Sequence, residues 1–282
     1  MSQARAAATD LASGKGHRDE NFPVASHLIA ARHRAPIMAF YRFARAADDI
    51  ADHPLAGPRE KLARLEAMRA TLLGTSDAAA DALGLCHAMT ERALDPAHAL
   101  ELLEAFTRDV TVRRYPDWAA LMDYCRYSAA PVGRFVLDVH GEDRALWPRS
   151  DALCAALQVI NHLQDCANDH RDLDRVYLPL DVLAANGAAL DDLARPVAAT
   201  GLRAAIAATA RRSIDLLDQS RGFARAIRNR RLGMEVAAIQ RLAESLAHRL
   251  TTRDPLAERV HHSKAEALVL AGSAACRRLF NR

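Results

Sequence analysis

The sequence contains few of the residues that interrupt helices. Its 282 residues include only 12 glycines and 11 prolines, and half of the chain is apolar. Runs of β-branched residues are rare, and no useful length alternates apolar with polar residues as a strand would. Because Ala and Leu dominate, the composition predicts helix nearly throughout, with enough apolar side chain for a substantial core. No linker rich in Ser, Gly and Pro divides the chain, so we predict one all-α bundle.

Other absences exclude whole classes of function. No run of about 18 apolar residues predicts a membrane span, and the polar N-terminus lacks the apolar core of a signal peptide. Neither G-x-G-x-x-G nor a P-loop occurs, so we predict no nicotinamide cofactor and no nucleoside triphosphate. A net charge of +3 and 5% aromatic residues give no argument for nucleic acid. We therefore expect a cytoplasmic protein, with peripheral association at the inner face of the membrane left open.

The cysteines are too few and too irregular for a disulfide framework. Their number is odd, and no two have C-x-x-C spacing. We expect all of them to be reduced thiols that mostly serve as small buried side chains. They are Cys86, Cys125, Cys154, Cys166 and Cys276.

Proline and glycine mark the expected helix boundaries. We predict a flexible N-terminal segment over residues 1–19 and a single domain over residues 20–282. Within the domain, the pattern predicts about ten helices, one of which should be kinked at Pro131. The longer segments are Ile37–His53, Pro58–Leu73, Ala79–Leu94, Pro96–Arg113, Asp117–His140, Asp151–His170, Leu202–Ile227, Leu232–Arg249 and Pro255–Phe280.

Two pairs of aspartates, far apart in the chain, share the same helical spacing. Asp48 and Asp52 form the first pair, and Asp165 and Asp169 form the second. Residues four apart lie on one face of a helix, where like charges cost a few tenths of a kcal/mol. Two such penalties on otherwise apolar helices predict a cation between them, and Mg²⁺ typically combines one or two carboxylates with water and phosphate. We interpret the two helices as facing walls of a diphosphate-binding cavity, with the adjacent Asp49 as a further candidate ligand.

Other polar residues continue these two stripes. Tyr41 and Arg45 precede Asp48 by seven and three residues, and Asn161 precedes Asp165 by four. The planar guanidinium of Arg45 could hold a diphosphate, and the Asn161 amide could add a hard oxygen ligand. The alternative for both stripes is an exposed polar helix face with ordinary salt bridges.

Three residues outside the stripes are further candidates for diphosphate binding. Arg175 and Tyr177 follow the second stripe and could close the cavity mouth. The alternative is that Arg175 forms an ordinary salt bridge in a loop and that Tyr177 is a packed core residue. Lys264, near the start of the last predicted helix, could reach a phosphate or could simply be exposed.

The segment from Tyr124 to Gly133 combines tyrosines with small residues around Pro131. Small side chains at a kink could leave space beside a tyrosine hydroxyl for a bulky apolar ligand. Close packing of two helices would explain the same residues.

Taken together, these motifs resemble the squalene/phytoene synthase family. The resemblance is carried by Tyr41-x-x-x-Arg45-x-x-Asp48-x-x-x-Asp52, by Tyr124-Cys125-x-Tyr127 with Val132-Gly133, and by Asn161-x-x-x-Asp165-x-x-x-Asp169 followed by Arg175-Val176-Tyr177-Leu178-Pro179. It implies an isoprenoid-synthase bundle with a central cavity and a prenyl diphosphate substrate. It also implies two or three Mg²⁺ ions, with Tyr41 and Tyr127 orienting water or stabilising cationic intermediates.

Three sequence features resemble those of the family branch that converts presqualene diphosphate to hydroxysqualene for hopanoid synthesis. They are Glu20-Asn21-Phe22-Pro23-Val24, the segment Tyr127–Gly133, and Gln164 before the second aspartate pair. This branch needs water and no reductant, and it implies neighbouring enzymes of squalene or hopanoid synthesis as partners. One departure is Asp174, where relatives often have glycine. A synthase that couples two prenyl diphosphates and a non-catalytic helical partner protein are the alternatives.

Overall fold

The computed structural model of the protein describes residues 28–280. Over this range the chain forms α-helices and two short 3₁₀ turns, and its only β-type pairing is an isolated bridge between Arg114 and Val176. The all-α prediction is confirmed. The predicted flexible segment 1–19 and the Glu20–Val24 motif lie outside the described residues. The helices are α1 (Ala31–Asp52), α2 (Pro58–Leu72), α3 (Ala80–Thr90), α4 (Ala97–Thr111), α5 (Trp118–Ser128), α6 (Ala130–His140), α7 (Trp147–Leu173), α8 (Leu180–Ala185), α9 (Thr200–Gln219), α10 (Phe223–Ala226), α11 (Arg230–Leu250) and α12 (Lys264–Phe280).

Pro36 does not open the first helix, as predicted, but lies inside α1. Proline cannot donate a backbone hydrogen bond, so the carbonyl of Arg32 loses its usual helical partner. The guanidinium of Arg92 donates to that carbonyl instead. This replacement lets the helix begin at Ala31, five residues before the proline.

The predicted helix Asp117–His140 is two helices rather than one kinked helix. The break falls at Ala129, whose φ of −121° and ψ of −48° interrupt the helical path between α5 and α6. Pro131 then occupies the first turn of α6, where its missing N–H needs no partner. The prediction of a kink at Pro131 was therefore wrong by two residues.

The last helix begins at Lys264 and not at Pro255. The preceding segment is held in a non-helical course by hydrogen bonds of its own Asp254 and by one side chain from α7. Asp254 accepts hydrogen bonds from the backbone N–H groups of Ala198 (2.8 Å) and Leu256 (2.9 Å). The amide of Gln164 donates to the Val260 carbonyl at 2.6 Å. The bonds to Ala198 and from Gln164 are long-range, and they outweigh the local helical pattern.

Two apolar cores are packed on either side of a central cavity. Helices α1 to α4 form the first core together with Phe135 and Val139 of α6, and this core includes the fully buried Phe43 and Leu103. Helices α5, α7, α8, α9 and α11 form the second, which includes Ile160 and Leu202. Helix α12 packs on α11. No helix in residues 28–280 has both the length and the apolar composition that crossing a bilayer requires.

Candidate active site

The central cavity, of about 510 Å³, brings both aspartate pairs to one place. Asp48 and Asp52 line it from α1, and Asp165 and Asp169 line it from α7. On each of these helices the N-terminal half contributes mainly apolar lining and the C-terminal half contributes the acids. The cavity therefore has an acidic end and an apolar end. Tyr41, Arg45 and Asn161 also line it, as do Arg175 and Tyr177.

The two aspartate pairs influence each other across the cavity. Burial, with repulsion from Asp165 and then Asp52, raises the pKa of Asp169 to about 8. Burial and repulsion from Asp52 likewise raise the pKa of Asp48 to about 7, against the attraction of Arg45. The pKa of an acid rises in this way when nearby positive charge does not fully compensate burial and repulsion. The acidic end is thus suited to a cation that would hold these carboxylates in their ionised form.

Arg45 bridges neighbouring carboxylates of its own helix. Its Nη1 donates to Asp48 Oδ2 at 2.7 Å, and its Nη2 donates to Asp49 Oδ1 at 2.9 Å. Asp49 does not line the cavity. Its placement fits a residue that positions Arg45 rather than the metal ligand that the sequence suggested.

Arg175 connects the loop after α7 to α1 and α4. Its guanidinium donates to Asp52 Oδ1 at 2.6 Å, to the Asp109 carbonyl at 3.0 Å and to the Ala51 carbonyl at 3.2 Å. The side chain is only 5% exposed. Arg175 therefore lines the cavity while its donors bind protein atoms, and its charge balances part of the acidic end.

Asp109, which the sequence pattern did not reveal, is the buried centre of a tyrosine network. Its carboxylate accepts hydrogen bonds from Tyr124 Oη (2.9 Å) and Tyr177 Oη (3.0 Å). Burial raises its pKa to about 6, although Arg175 and both tyrosines favour the charged form. The only sign of this residue in the sequence was an aspartate on the apolar face of a predicted helix, and a single aspartate does not by itself indicate a site. The network fixes Tyr124 and Tyr177 in the cavity wall.

His162 forms an aromatic wall beside this network. Its ring stacks on Tyr177 with centroids 3.6 Å apart, and Gln158 lies 3.1 Å from its Nε2. Burial, reinforced by Arg175, lowers the pKa of His162 to about 3. The imidazole is therefore neutral, and it adds a flat, weakly polar surface without adding charge.

The apolar end includes residues from α6, α7 and α11. Gly133 of α6 lines it, and a Cβ at this position would lie 2.4 Å from Ser150 Oγ and 2.6 Å from Cys154 Sγ. Close packing of α6 on α7 therefore explains this glycine. Glu235 of α11 is 3% exposed and lines the cavity beside Leu232, Val236 and Ile239. Nothing in the sequence pattern singled out this carboxyl group.

Besides Asp49, two predicted site residues lie away from the cavity. Tyr127 does not line it. Instead its ring packs under the guanidinium groups of Arg108 and Arg126, with distances of 4.2 and 4.9 Å to the ring centroid. Tyr124, three residues earlier on α5, is buried and occupies the cavity wall, where its hydroxyl donates to Asp109. Lys264 is exposed at the start of α12 and does not line the cavity.

The branch marker Gln164 and the departure at Asp174 both have structural explanations. Gln164 is buried and anchors the segment before α12 rather than lining the cavity. Asp174 has φ +51°, a left-handed conformation that glycine adopts most easily and that Asp tolerates. Its carboxylate accepts a hydrogen bond from Arg114 at 2.6 Å. An aspartate can therefore replace the expected glycine without changing the course of the loop.

The donor set at the acidic end fits Mg²⁺. Within residues 28–280, no group of three or more His, Cys, Asp or Glu side chains is close enough to form a complete metal site by itself. Mg²⁺ does not need such a cage, because it usually keeps water and takes one or two carboxylates together with substrate phosphate. Opposed pairs of carboxylates, in which Asp48 and Asp169 have raised pKa values, meet that requirement.

Comparison with known proteins agrees with this geometry. The family model for squalene/phytoene synthase matches residues 16–266. The chain is 58% identical to a hydroxysqualene synthase of Zymomonas mobilis, with 97% of this chain and 93% of that protein covered. It is 51% identical to a hydroxysqualene synthase of Rhodopseudomonas palustris, with 93% and 90% covered.

A solved structure shows the same fold. The crystal structure of squalene synthase HpnC from Alicyclobacillus acidocaldarius superposes with a TM-score of 0.70 at 33% identity, covering 80% of this chain and 85% of that one. The resemblance inferred from the motifs is confirmed. The chain is an enzyme of the squalene/phytoene synthase family.

Proposed function

We propose that the enzyme converts presqualene diphosphate and water to hydroxysqualene and diphosphate. The observation that carries this proposal is the single cavity with opposed aspartate pairs at one end and apolar walls at the other. This division matches a substrate with a charged head and a long hydrocarbon body. The similarity to proteins named hydroxysqualene synthase, over more than nine tenths of the chain, supports the choice of substrate.

The diphosphate would bind at the acidic end. Asp48, Asp52, Asp165 and Asp169 would hold two or three Mg²⁺ ions, which would supply Lewis-acid neutralisation of the leaving group. Arg45 lies next to this end and can add a guanidinium donor to the anion. Arg175 keeps Asp52 in place through its 2.6 Å hydrogen bond. Asn161 adds a polar side chain to the same wall.

The hydrocarbon would occupy the apolar end. When the carbon–oxygen bond breaks, diphosphate leaves with the electron pair, and a carbocation remains among walls that exclude bulk water. The aromatic rings of Tyr41 and Tyr124 line the cavity and can stabilise positive charge through their faces. The cation rearranges, and one water oxygen forms the new carbon–oxygen bond.

The attacking water must lose a proton, and Glu235 is suited to receive it. Its buried carboxyl group lies among apolar residues of α11 in the cavity wall. In Glu235→Gln, diphosphate release should continue while the proportion of hydroxysqualene among the products falls in favour of unsaturated hydrocarbons. An unchanged product profile would exclude this role.

The test of the proposal is an incubation of purified enzyme with Mg²⁺ and presqualene diphosphate, with and without a nicotinamide reductant. Mass spectrometry should detect hydroxysqualene in both samples, because no reductant is required. Farnesyl diphosphate alone should not react. Coupling of farnesyl diphosphate, with no turnover of presqualene diphosphate, would instead identify a head-to-head coupling synthase.

A further inference from the structure

A second cleft, remote in sequence from the aspartate motifs, is lined mainly by positive charge. It has a volume of about 450 Å³ and lies between the C-terminal end of α9, α10, α11 and α12. Its only acidic lining residue among those described is Glu244. The cationic lining residues are Arg221, Arg225, Arg241, Arg277 and Arg278.

Local acids neutralise only part of this charge. Arg221 pairs with Asp218 at 2.8 Å, and Arg241 lies 3.5 Å from Glu244. Arg278 donates to two backbone carbonyls, those of Ala224 (2.8 Å) and Ile227 (3.1 Å), and no carboxylate of residues 28–280 pairs with it. The cleft therefore presents an excess of positive charge to an anionic partner.

A basic turn extends this charge to the end of the last helix. Arg228, Arg230 and Arg231 are exposed in and beside the connection between α10 and α11. Arg230 Nη2 lies 3.4 Å from the Leu279 carbonyl, so the turn borders the C-terminal end of α12. The cleft and the turn together form one basic surface.

The outward face of α12 carries exposed apolar side chains beside a few polar ones. Leu268 and Val269 are 75% and 69% exposed, and Leu279 is exposed near the helix end. The opposite face packs on α11 through the buried Ala274 and Ala275. Exposed residues at steps of four, four and three form one uncharged stripe, Leu268, Gly272, Cys276 and Leu279.

We infer that this surface docks on a bilayer containing anionic phospholipid. The basic surface and the apolar α12 stripe lie side by side, and a membrane surface presents a matching pair of regions. Lipid phosphates can bind the arginines, and the outer acyl region can receive the α12 stripe. Charge complementarity is the reason for choosing anionic lipid over a second copy of this chain, because two copies would oppose arginines to arginines. The described part of the enzyme has no membrane-spanning helix. Docking would nevertheless place the enzyme next to the bilayer interior, which dissolves apolar molecules.

The inference is tested by flotation of the full-length enzyme with phosphatidylcholine vesicles, with and without phosphatidylglycerol, in the absence of substrate. The enzyme should float only with the anionic vesicles, and binding should weaken as salt increases. Each arginine near an anionic surface contributes about a five-fold change in binding. Arg225→Glu/Arg277→Glu should therefore lower binding about 25-fold or more.

Two further variants separate charge from apolar contact. Leu268→Ser/Val269→Ser should weaken binding to anionic vesicles while retaining its salt dependence. The control Arg59→Glu/Arg149→Glu makes the same charge change at exposed arginines of α2 and α7 that line neither cavity, and it should bind like the parent. Circular dichroism verifies that all variants are folded.

Three results would overturn the inference. They are absence of parental binding to anionic vesicles, an equal loss in the control, and sedimentation velocity showing that the α12 stripe is instead buried in a dimer that the serine variant dissociates. Because no substrate is present, failure here is distinguishable from failure of the proposed reaction.

Discussion

At the scale of single residues, Asp48 and Asp49 are adjacent in sequence but have different surroundings. Both bind Arg45, yet only Asp48 lines the cavity. We expect Asp48→Asn to lower the rate of diphosphate release about 100-fold or more, a typical cost of removing charge stabilisation from a leaving group. Asp49→Asn is the matched control and should lose much less. Stopped-flow or coupled assays of diphosphate measure both, and equal losses would contradict the assignment.

Asp169 predicts a pH dependence of stability in the absence of metal. Its pKa is raised to about 8, above its ordinary value of about 4, so the folded protein binds this proton more tightly than the unfolded chain does. Its contribution to the free energy of unfolding is therefore favourable at low pH and is lost as pH rises from about 4 to about 8.

The Asp169→Asn variant lacks this ionisation. With a chelator present, its melting temperature relative to the parent should rise between about pH 4 and pH 8 and then level off. The exposed Asp191, changed to Asn, is the control and should show no such trend. Thermal unfolding followed by circular dichroism provides the measurement. A difference between Asp169→Asn and the parent that is independent of pH would show that the carboxyl group is not destabilised by burial and repulsion.

The two tyrosines of the Tyr124–Tyr127 segment should respond differently to loss of the hydroxyl group. Tyr124 donates to buried Asp109, whereas Tyr127 packs outside the cavity. We expect Tyr124→Phe to lower kcat about five-fold, the kinetic equivalent of one hydrogen bond of about 1 kcal/mol. Tyr127→Phe should retain the parental kcat and product profile. Steady-state kinetics with product analysis decides between them, and the opposite ranking would return Tyr127 to the active site.

At the scale of helices, composition and spacing predicted where most elements occur but not where each begins. Pro36 was expected to open a helix, yet Arg92, which is distant in sequence, supplies the hydrogen bond that proline removes. The segment after Pro255 was expected to be helical, yet Asp254 and Gln164 hold it in another conformation. Such boundaries depend on tertiary hydrogen bonds, which a local pattern does not contain.

Packing of α6 on α7 provides a test at this scale. A methyl group at Gly133 would overlap Ser150 Oγ and Cys154 Sγ, so Gly133→Ala should lower the free energy of unfolding by about 1–3 kcal/mol. A methyl group at Gly84 of α3 would meet no neighbouring side chain or other element within 4 Å. Gly84→Ala should therefore be neutral or stabilise the helix by up to about 1 kcal/mol. Urea unfolding measures both variants, and equal stability of the two would contradict the close approach.

At the scale of the whole molecule, the meeting of the two aspartate pairs was predictable because each pair has a local, helical signature. The remaining acidic residues of the cavity were not predictable from the sequence. Asp109 and Glu235 are single acids on α4 and α11, and only the folded arrangement of helices shows that they face the same cavity. The basic surface around α12 was visible only in part, because Arg228, Arg230 and Arg231 are close in sequence but the arginines of the cleft come from several separate elements.

The most direct test of the proposed reaction is the origin of the oxygen in the product. Purified enzyme, Mg²⁺ and presqualene diphosphate would be incubated in ¹⁸O-labelled water without reductant, and the products would be analysed by mass spectrometry. We predict hydroxysqualene carrying one ¹⁸O atom, formed about 100-fold or more slowly by Asp48→Asn. Unlabelled hydroxysqualene, or unreacted presqualene diphosphate beside active coupling of farnesyl diphosphate, would contradict the proposed reaction.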